Sequence, residues 1–204
     1  MITYSHALIQ TKLARDWGLA GLAGRGFLIG AVLPDIPLVV LSGATFGWFW
    51  LTGQGSLADT FQYLFFDAFF TNPLFITGHN LFHSPLSLAL QLTAVYLLPL
   101  PAKARRLLKW VVIGSLVHTG VDIVTHHNDG PLLLWPLNWS WRFASPVSYW
   151  DPNHFGRQFT VFEHGLDALL ITSLFKVQLQ TRLTTRLVKW AAKLRAKPGW
   201  LPGT

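Results

Sequence analysis

Apolar residues run through this chain in long blocks separated by short polar breaks, a pattern that predicts helices rather than strands. The block at 26–52 is long enough to cross a ~30 Å hydrocarbon layer, but Pro34-Asp35-Ile36-Pro37 interrupts it. Backbone groups freed by such a break need protein or water around them, because lipid offers no partner. A Phe-rich block follows at 61–77, then a third segment at 86–102 that ends on Pro99 and Pro101, then a fourth at 107–127. Residues 128–160 read as an irregular loop rich in Pro and Trp, with Trp135, Trp139, Trp141 and Trp150. A last apolar helix at 161–175 leads into a basic tail, and residues 4–22 form a short amphipathic helix ahead of all of these. In the tail, Leu179, Leu183, Leu187, Trp190 and Leu194 share one helical stripe, and Arg182, Arg186, Lys189 and Lys193 share the adjoining one. That is the pattern of a helix lying on an anionic membrane surface.

The expected fold is therefore an all-α integral membrane protein with about four to five spanning segments and a C-terminal basic amphipathic helix. Residues 1–175 form the membrane-embedded body and 176–204 the tail. At 1.5 Å per residue the third segment reaches only about 25 Å. A soluble helical domain with an unusually apolar core is thus the competing architecture.

Composition favours the membrane. Hydrophobic residues make up 51% and charged residues 12% of the 204, against roughly 25% charged in ordinary globular domains. No Lys or Arg occurs between Arg25 and Lys103, where the only acids are Asp35, Asp59 and Asp67. The net charge of +7 is concentrated in clusters, at Lys103–Lys109 and from Lys176 to Lys197. Basic clusters beside apolar segments mark cytoplasmic flanks, so the 103–109 loop and the C-terminus are expected inside and the 128–160 loop outside. Membrane lipids are the expected partners. Nucleic acid is not, because the body has no basic face interleaved with exposed aromatics. There is no Cys, which removes thiolates from any ligand set,. The first residues do not form a basic start, apolar run and cleavage site, so no removable signal peptide is expected.

The histidines are grouped. His79 and His83 stand four apart in GHNLFHSP, and His118, Asp122 and His126 form H-x3-D-x3-H. Residues four apart on a helix are neighbours, so each pair can share one ion. His118 and His126, about 12 Å apart along a helix axis, cannot. Asp122 between them could bridge two ions. Imidazole with carboxylate suits Zn²⁺ or a similar divalent first-row metal, which activates water for hydrolysis. Asp35, fixed between two prolines in an apolar run, needs a cationic partner, and His6 is a further candidate ligand. His126 and His127 are candidates for outer or substrate-binding roles. Glu163, the only Glu, is a candidate general base, and His154 and His164 are weaker ones. Two local alternatives stay open. Ser84-Pro85 reads as a helix start, which would put His83 just ahead of a helix. The loop tryptophans fit either an interfacial belt or a lid over the site.

These runs, YSHALI, LPDIP, GHNLFHS and HTGVDIVTHHNDGPLLLWP, occur in order over about residues 1–145 and resemble the YdjM family of bacterial inner-membrane proteins, regarded as metal-dependent hydrolases. The resemblance implies ligand roles for His6, Asp35, His79, His83, His118 and Asp122, and a plasma-membrane location. Two departures stand out. Pro37 occupies the place of the family's second Asp in LPDID, and His126-His127 replaces a Thr-Pro. The pattern is also distantly similar to zinc-dependent phospholipases C and single-strand nucleases, which implies phosphoester chemistry. The expected function is membrane-bound, metal-dependent hydrolysis of a phosphoester, a lipid being one candidate substrate, with Asp122, His126 and Glu163 as candidate catalytic groups. A metal transporter or sensor, or a structural membrane partner, is the alternative.

Overall fold

The computed structural model describes residues 1–195. Among them the secondary structure is helical, with one isolated bridge between Leu132 and Arg142. The order is α1 (Thr3–Asp16), α2 (Gly21–Gly30), a 3-10 turn (Leu33–Asp35), α3 (Ile36–Thr52) and α4 (Leu57–Gln62). A π-helical turn (Tyr63–Ala68) and the single turn α5 (Phe69–Thr71) follow. Then come α6 (Pro73–His83), α7 (Pro85–Leu97), α8 (Ala102–Thr125) and, after a long loop, α9 (Gly156–Arg195).

The prolines act where the sequence places them. Pro34 and Pro37 stop α2 and start α3, so the apolar block 26–52 is broken at Asp35. The Phe-rich block does not run on to 77, because Asn72 caps a new helix at Pro73 by accepting the Leu74 N–H at 2.9 Å. Ser84 both ends α6 and caps α7, so His79 and His83 share a helix although His83 also directly precedes the next. The expected helix at 161–175 and the basic tail form one 40-residue helix, α9. Arg186, Leu187, Lys189, Trp190 and Lys193 are exposed there. The side chains of Leu179, Arg182, Leu183 and Leu194, and residues 196–204, lie outside the described residues.

Among the described residues, two segments are long and apolar enough to cross a membrane, Leu33–Thr52 and Ala102–Thr125. No residue of α3 in the first is fully buried, and Val39, Val40, Trp48, Trp50 and Leu51 are all exposed on it. The third predicted segment is the shorter α7.

The tightest packing is between α2 and α8, through small residues. A Cβ added at Gly30 would lie 2.2 Å from the Val111 carbonyl oxygen, and one at Gly114 would lie 2.3 Å from that of Phe27. Backbones this close gain dense van der Waals contact without needing a hydrophobic driving force, the usual device inside lipid. The rings of Trp17, Phe27 and Trp110 pack in series at 5.5 and 6.1 Å. α1 joins α8 by polar contact, Gln10 Nε2 donating to the Gly114 carbonyl at 3.1 Å. The loop after α8 is anchored at α6: Leu132 N–H donates to Asn80 Oδ1 at 2.7 Å, and Ser84 Oγ donates to the Trp135 carbonyl at 3.0 Å. Trp135 is buried, whereas Trp139, Trp141 and Trp150 are exposed.

Candidate metal centre

Three elements bring four polar residues to one point. Asp35 ends the 3-10 turn, His83 ends α6, and His118 and Asp122 lie one turn apart near the end of α8. One ligand atom from each of the four falls within 4.8 Å of the others.

The tautomers can be assigned from the backbone. His83 Nδ1–H donates to the His79 carbonyl at 2.9 Å, and His118 Nδ1–H donates to the Ala31 carbonyl at 2.8 Å. A neutral imidazole with its proton on Nδ1 presents a lone pair on Nε2. The two Nε2 atoms face each other at 3.1 Å. They also converge on two carboxylate oxygens. His83 Nε2 lies 3.4 Å from both Asp35 Oδ1 and Asp122 Oδ2, and His118 Nε2 lies 3.5 and 3.0 Å from the same atoms. With the imidazoles neutral, four acceptors surround one point, which must be filled either by protons on Nε2 or by a cation. The spacing fits such a cation. A tetrahedron with metal–ligand bonds of about 2.0–2.1 Å has edges of about 3.3 Å, and the five edges above span 3.0–3.5 Å. The Nδ1–H to carbonyl bonds are the outer contacts that orient metal-binding histidines.

Asp122 faces a second set of groups through its other oxygen. Oδ1 accepts from His6 Nε2 at 2.9 Å and from the Met1 nitrogen at 3.0 Å, with His126 Nδ1 at 3.6 Å. The His6 ring stacks on His118 at 3.7 Å. Thr3 Oγ1 donates to Asp35 Oδ2 at 2.5 Å, which fixes the outer oxygen of that carboxylate.

Of the sequence-predicted ligands, Asp35, His83, His118 and Asp122 come together, and His6 joins them through Asp122. His79 stands behind His83, ring against ring at 4.3 Å, with a buried Nδ1 that has no partner. His126 Nδ1–H donates to the Asp122 carbonyl at 3.0 Å, and its ring packs on Tyr149 at 4.7 Å. Burial first, and then the charge of Asp129, holds the Tyr149 phenol above its ordinary range, so it stays a neutral hydrogen-bond donor.

Glu163 takes a different place from the one expected of a general base. Its carboxylate is buried and accepts the Ile2 N–H at 2.8 Å. One turn on, Asp167 accepts from Ser5 Oγ at 2.9 Å. These two acids fasten α1 to α9 and so carry His6 to Asp122. His127 and His154 stack at 3.4 Å within the loop, and His164 meets the Tyr4 hydroxyl at 3.1 Å. None of these three is in the cluster.

A cavity of about 520 Å³ opens on the cluster. Asp35, His79, His83, Asp122 and His126 line its polar end. Phe61, Phe65, Phe66, Phe69 and Phe70 line its wall. Sequence reading missed Thr3, Asp167, Tyr149 and this aromatic wall. Only Asp167 carried a signal, as a second acid one turn after Glu163 in an apolar helix.

Two buried imidazoles and two carboxylates converging inside a strongly apolar helical chain define a helical membrane protein with a candidate metal-binding site. The chain belongs to the YdjM inner membrane protein family, whose model matches residues 3–193. No curated protein and no solved structure matches it.

Proposed function

We propose that this protein is a membrane-embedded, metal-dependent hydrolase that cleaves a phosphoester. The observation that carries the reading is the convergence of four acceptor atoms on one point, with both imidazole tautomers fixed by backbone carbonyls. Asp35, His83, His118 and Asp122 would hold the ion, Zn²⁺ or a similar divalent metal. The ion would supply activation of water near neutral pH and stabilisation of charge developing on the phosphoryl oxygens. His6 orients Asp122 through Oδ1 and leaves Oδ2 for the site. His126 lines the cavity with Nδ1 committed to the Asp122 carbonyl, so its Nε2 is the atom free to move a proton. In the reaction the P–O bond to the leaving alcohol breaks as a water oxygen bonds to phosphorus. The water's proton passes through His126 Nε2 to the departing alkoxide.

A transport role is less well supported. A transport path would continue along the bundle, yet the buried positions of α8 before His118 are Val112, Gly114 and Ser115, and none of them ionises. The chain is read as multi-pass in the bacterial plasma membrane. α3 and α8 would be the full spans, and α7 and the first part of α9, both shorter, would bring the count to four.

The test compares three variants by metal per chain and by turnover of a generic phosphodiester. Asp122→Asn and His118→Ala should lose both while far-ultraviolet circular dichroism stays helical. His164→Ala, outside the cluster, should keep both. Wild-type metal content and turnover in Asp122→Asn would refute the reading.

A further inference from the structure

The cavity wall is built by one short stretch of chain. Phe61 packs on Phe65 of the π-helical turn at 4.5 Å, and Phe69 and Phe70, just after that turn, pack at 4.9 Å. Exposure falls along the series, from 57% at Phe61 through 44% and 48% at Phe65 and Phe66 to 8% at Phe69. The buried end reaches the site, with the Phe69 ring 4.9 Å from His79. The five rings form an apolar ramp from the protein surface down to the metal cluster.

The facing wall continues the theme. Leu38 and Val39 line the cavity from α3, and Val39 is 62% exposed on that helix, none of whose residues is fully buried. The cavity thus shares its rim with the apolar surface that a membrane would cover. A site for a water-borne phosphoester would need no such ramp. Its volume of about 520 Å³ lies within the roughly 300–1,000 Å³ of small-molecule sites. That is room for a head group and the first part of a chain, with the rest of the chain left outside in lipid.

We propose that the substrate is a bilayer lipid whose phosphate ester reaches the cluster sideways from the hydrocarbon layer, with its chain lying along the Phe61–Phe70 ramp. This rests on the hydrolase reading for the reaction and on the cavity alone for the occupant. A lipid on this route keeps its chain in apolar surroundings throughout, whereas each methylene drawn from water would gain about fourfold in binding.

Two measurements on the full chain in nanodiscs test the proposal. The first is turnover of two phosphodiesters with the same leaving group, one carrying a two-carbon and one a sixteen-carbon chain. Wild type should favour the long chain at least tenfold, and a Phe65→Asn/Phe66→Asn variant should bring that ratio towards one. Partitioning into the bilayer is common to both proteins, so the change in ratio reports the ramp. The second is photolabelling with a glycerophospholipid bearing a diazirine on its acyl chain. Adducts should be several-fold denser on residues 61–70 than on the more exposed apolar face at Trp48–Leu51. Equal labelling of the two faces, or an unchanged chain-length ratio in the variant, would overturn the lipid proposal. Dense labelling of the ramp with no turnover of either ester would support the lipid occupant and overturn the hydrolase reading.

Discussion

Substituting Gly30 by Ala should loosen the metal site without touching a ligand. The new Cβ would sit 2.2 Å from the Val111 carbonyl oxygen, 2.6 Å from the Ser115 nitrogen and 2.8 Å from Gly114 Cα. All three are backbone atoms of α8, so no side chain can swing aside. Relief to an ordinary contact of about 3.4 Å requires α2 and α8 to separate by about 1 Å, and such overpacking costs about 1–3 kcal/mol. The next residue after Gly30 is Ala31, whose carbonyl accepts from His118 Nδ1 at 2.8 Å. A separation of about 1 Å stretches that contact beyond hydrogen-bond range. Loss of such an outer contact lowers metal affinity by about 10–100-fold. Gly43→Ala on α3 is the control, because its Cβ meets nothing within 4 Å. There the gain in helix propensity should leave stability equal or raise it by up to about 1 kcal/mol. Metal titration in detergent, together with thermal unfolding of both variants, makes the comparison. If Gly30→Ala bound metal as tightly as Gly43→Ala, the claim that helix packing positions His118 would be refuted.

Other outcomes follow from the same geometry. Glu163→Ala should cost about 1–3 kcal/mol by leaving the half-buried Ile2 N–H unpaired,, whereas Glu163→Gln, which keeps an acceptor, should be milder in thermal unfolding. Asp167→Asn should weaken metal binding less than Asp122→Asn, because Asp167 acts on the site only by fastening Ser5 and the helix that carries His6. Metal occupancy should fall on acidification and recover on return to neutral pH, since the ligating imidazoles and carboxylates bind an ion only when deprotonated. Occupancy that held constant down to pH 4, measured by equilibrium dialysis, would contradict the ligand set.

The helices and the four clustered candidate ligands were legible because each rests on local rules. Proline marks where α3, α6 and α7 begin, and i, i+4 spacing pairs His118 with Asp122. The span count was not legible, because an apolar block reads the same whether it is one helix or two. Asn72 and Pro73 divide the Phe-rich block, and only backbone geometry shows the π-helical turn that arranges its five rings. His79 shows the limit of spacing. It shares a helix with His83 as predicted, yet His83 turns its Nδ1 back onto the His79 carbonyl and presents only Nε2 to the cluster, which leaves His79 behind it. Glu163 looked catalytic because it is an isolated acid in an apolar helix. The same isolation suits a buried acceptor for a backbone N–H, and the contact with Ile2 is what the structure shows it making.

The contacts also set the helices in register and yield a prediction about sidedness. α1 runs against α8, with His6 at Asp122 and Gln10 at Gly114. α2 runs with α8, with Gly26 at Leu107 and Gly30 at Val111. α9 runs with α1, with Ile2 at Glu163 and Ser5 at Asp167. The cluster therefore lies at one end of this group, and the far ends of α1, α2 and α8 lie together at the other. Those far ends carry Lys12, Arg15, Arg25, Lys103, Arg105, Arg106 and Lys109. Lys176, nine residues and about 13 Å of helix beyond Asp167, points to the same end. Basic residues drawn from four separate stretches of sequence thus gather at one end of the bundle, and the positive-inside tendency assigns that end to the cytoplasm. The metal site and the tryptophan loop then belong to the outer half of the membrane. Because the chain has no Cys, single cysteines at Ser140 and at Ala104 can be labelled without background. An impermeant maleimide added to intact spheroplasts should modify the first and spare the second until the membrane is opened. Labelling of Ala104→Cys alone in intact cells would invert the assignment and with it the side from which a head group meets the metal.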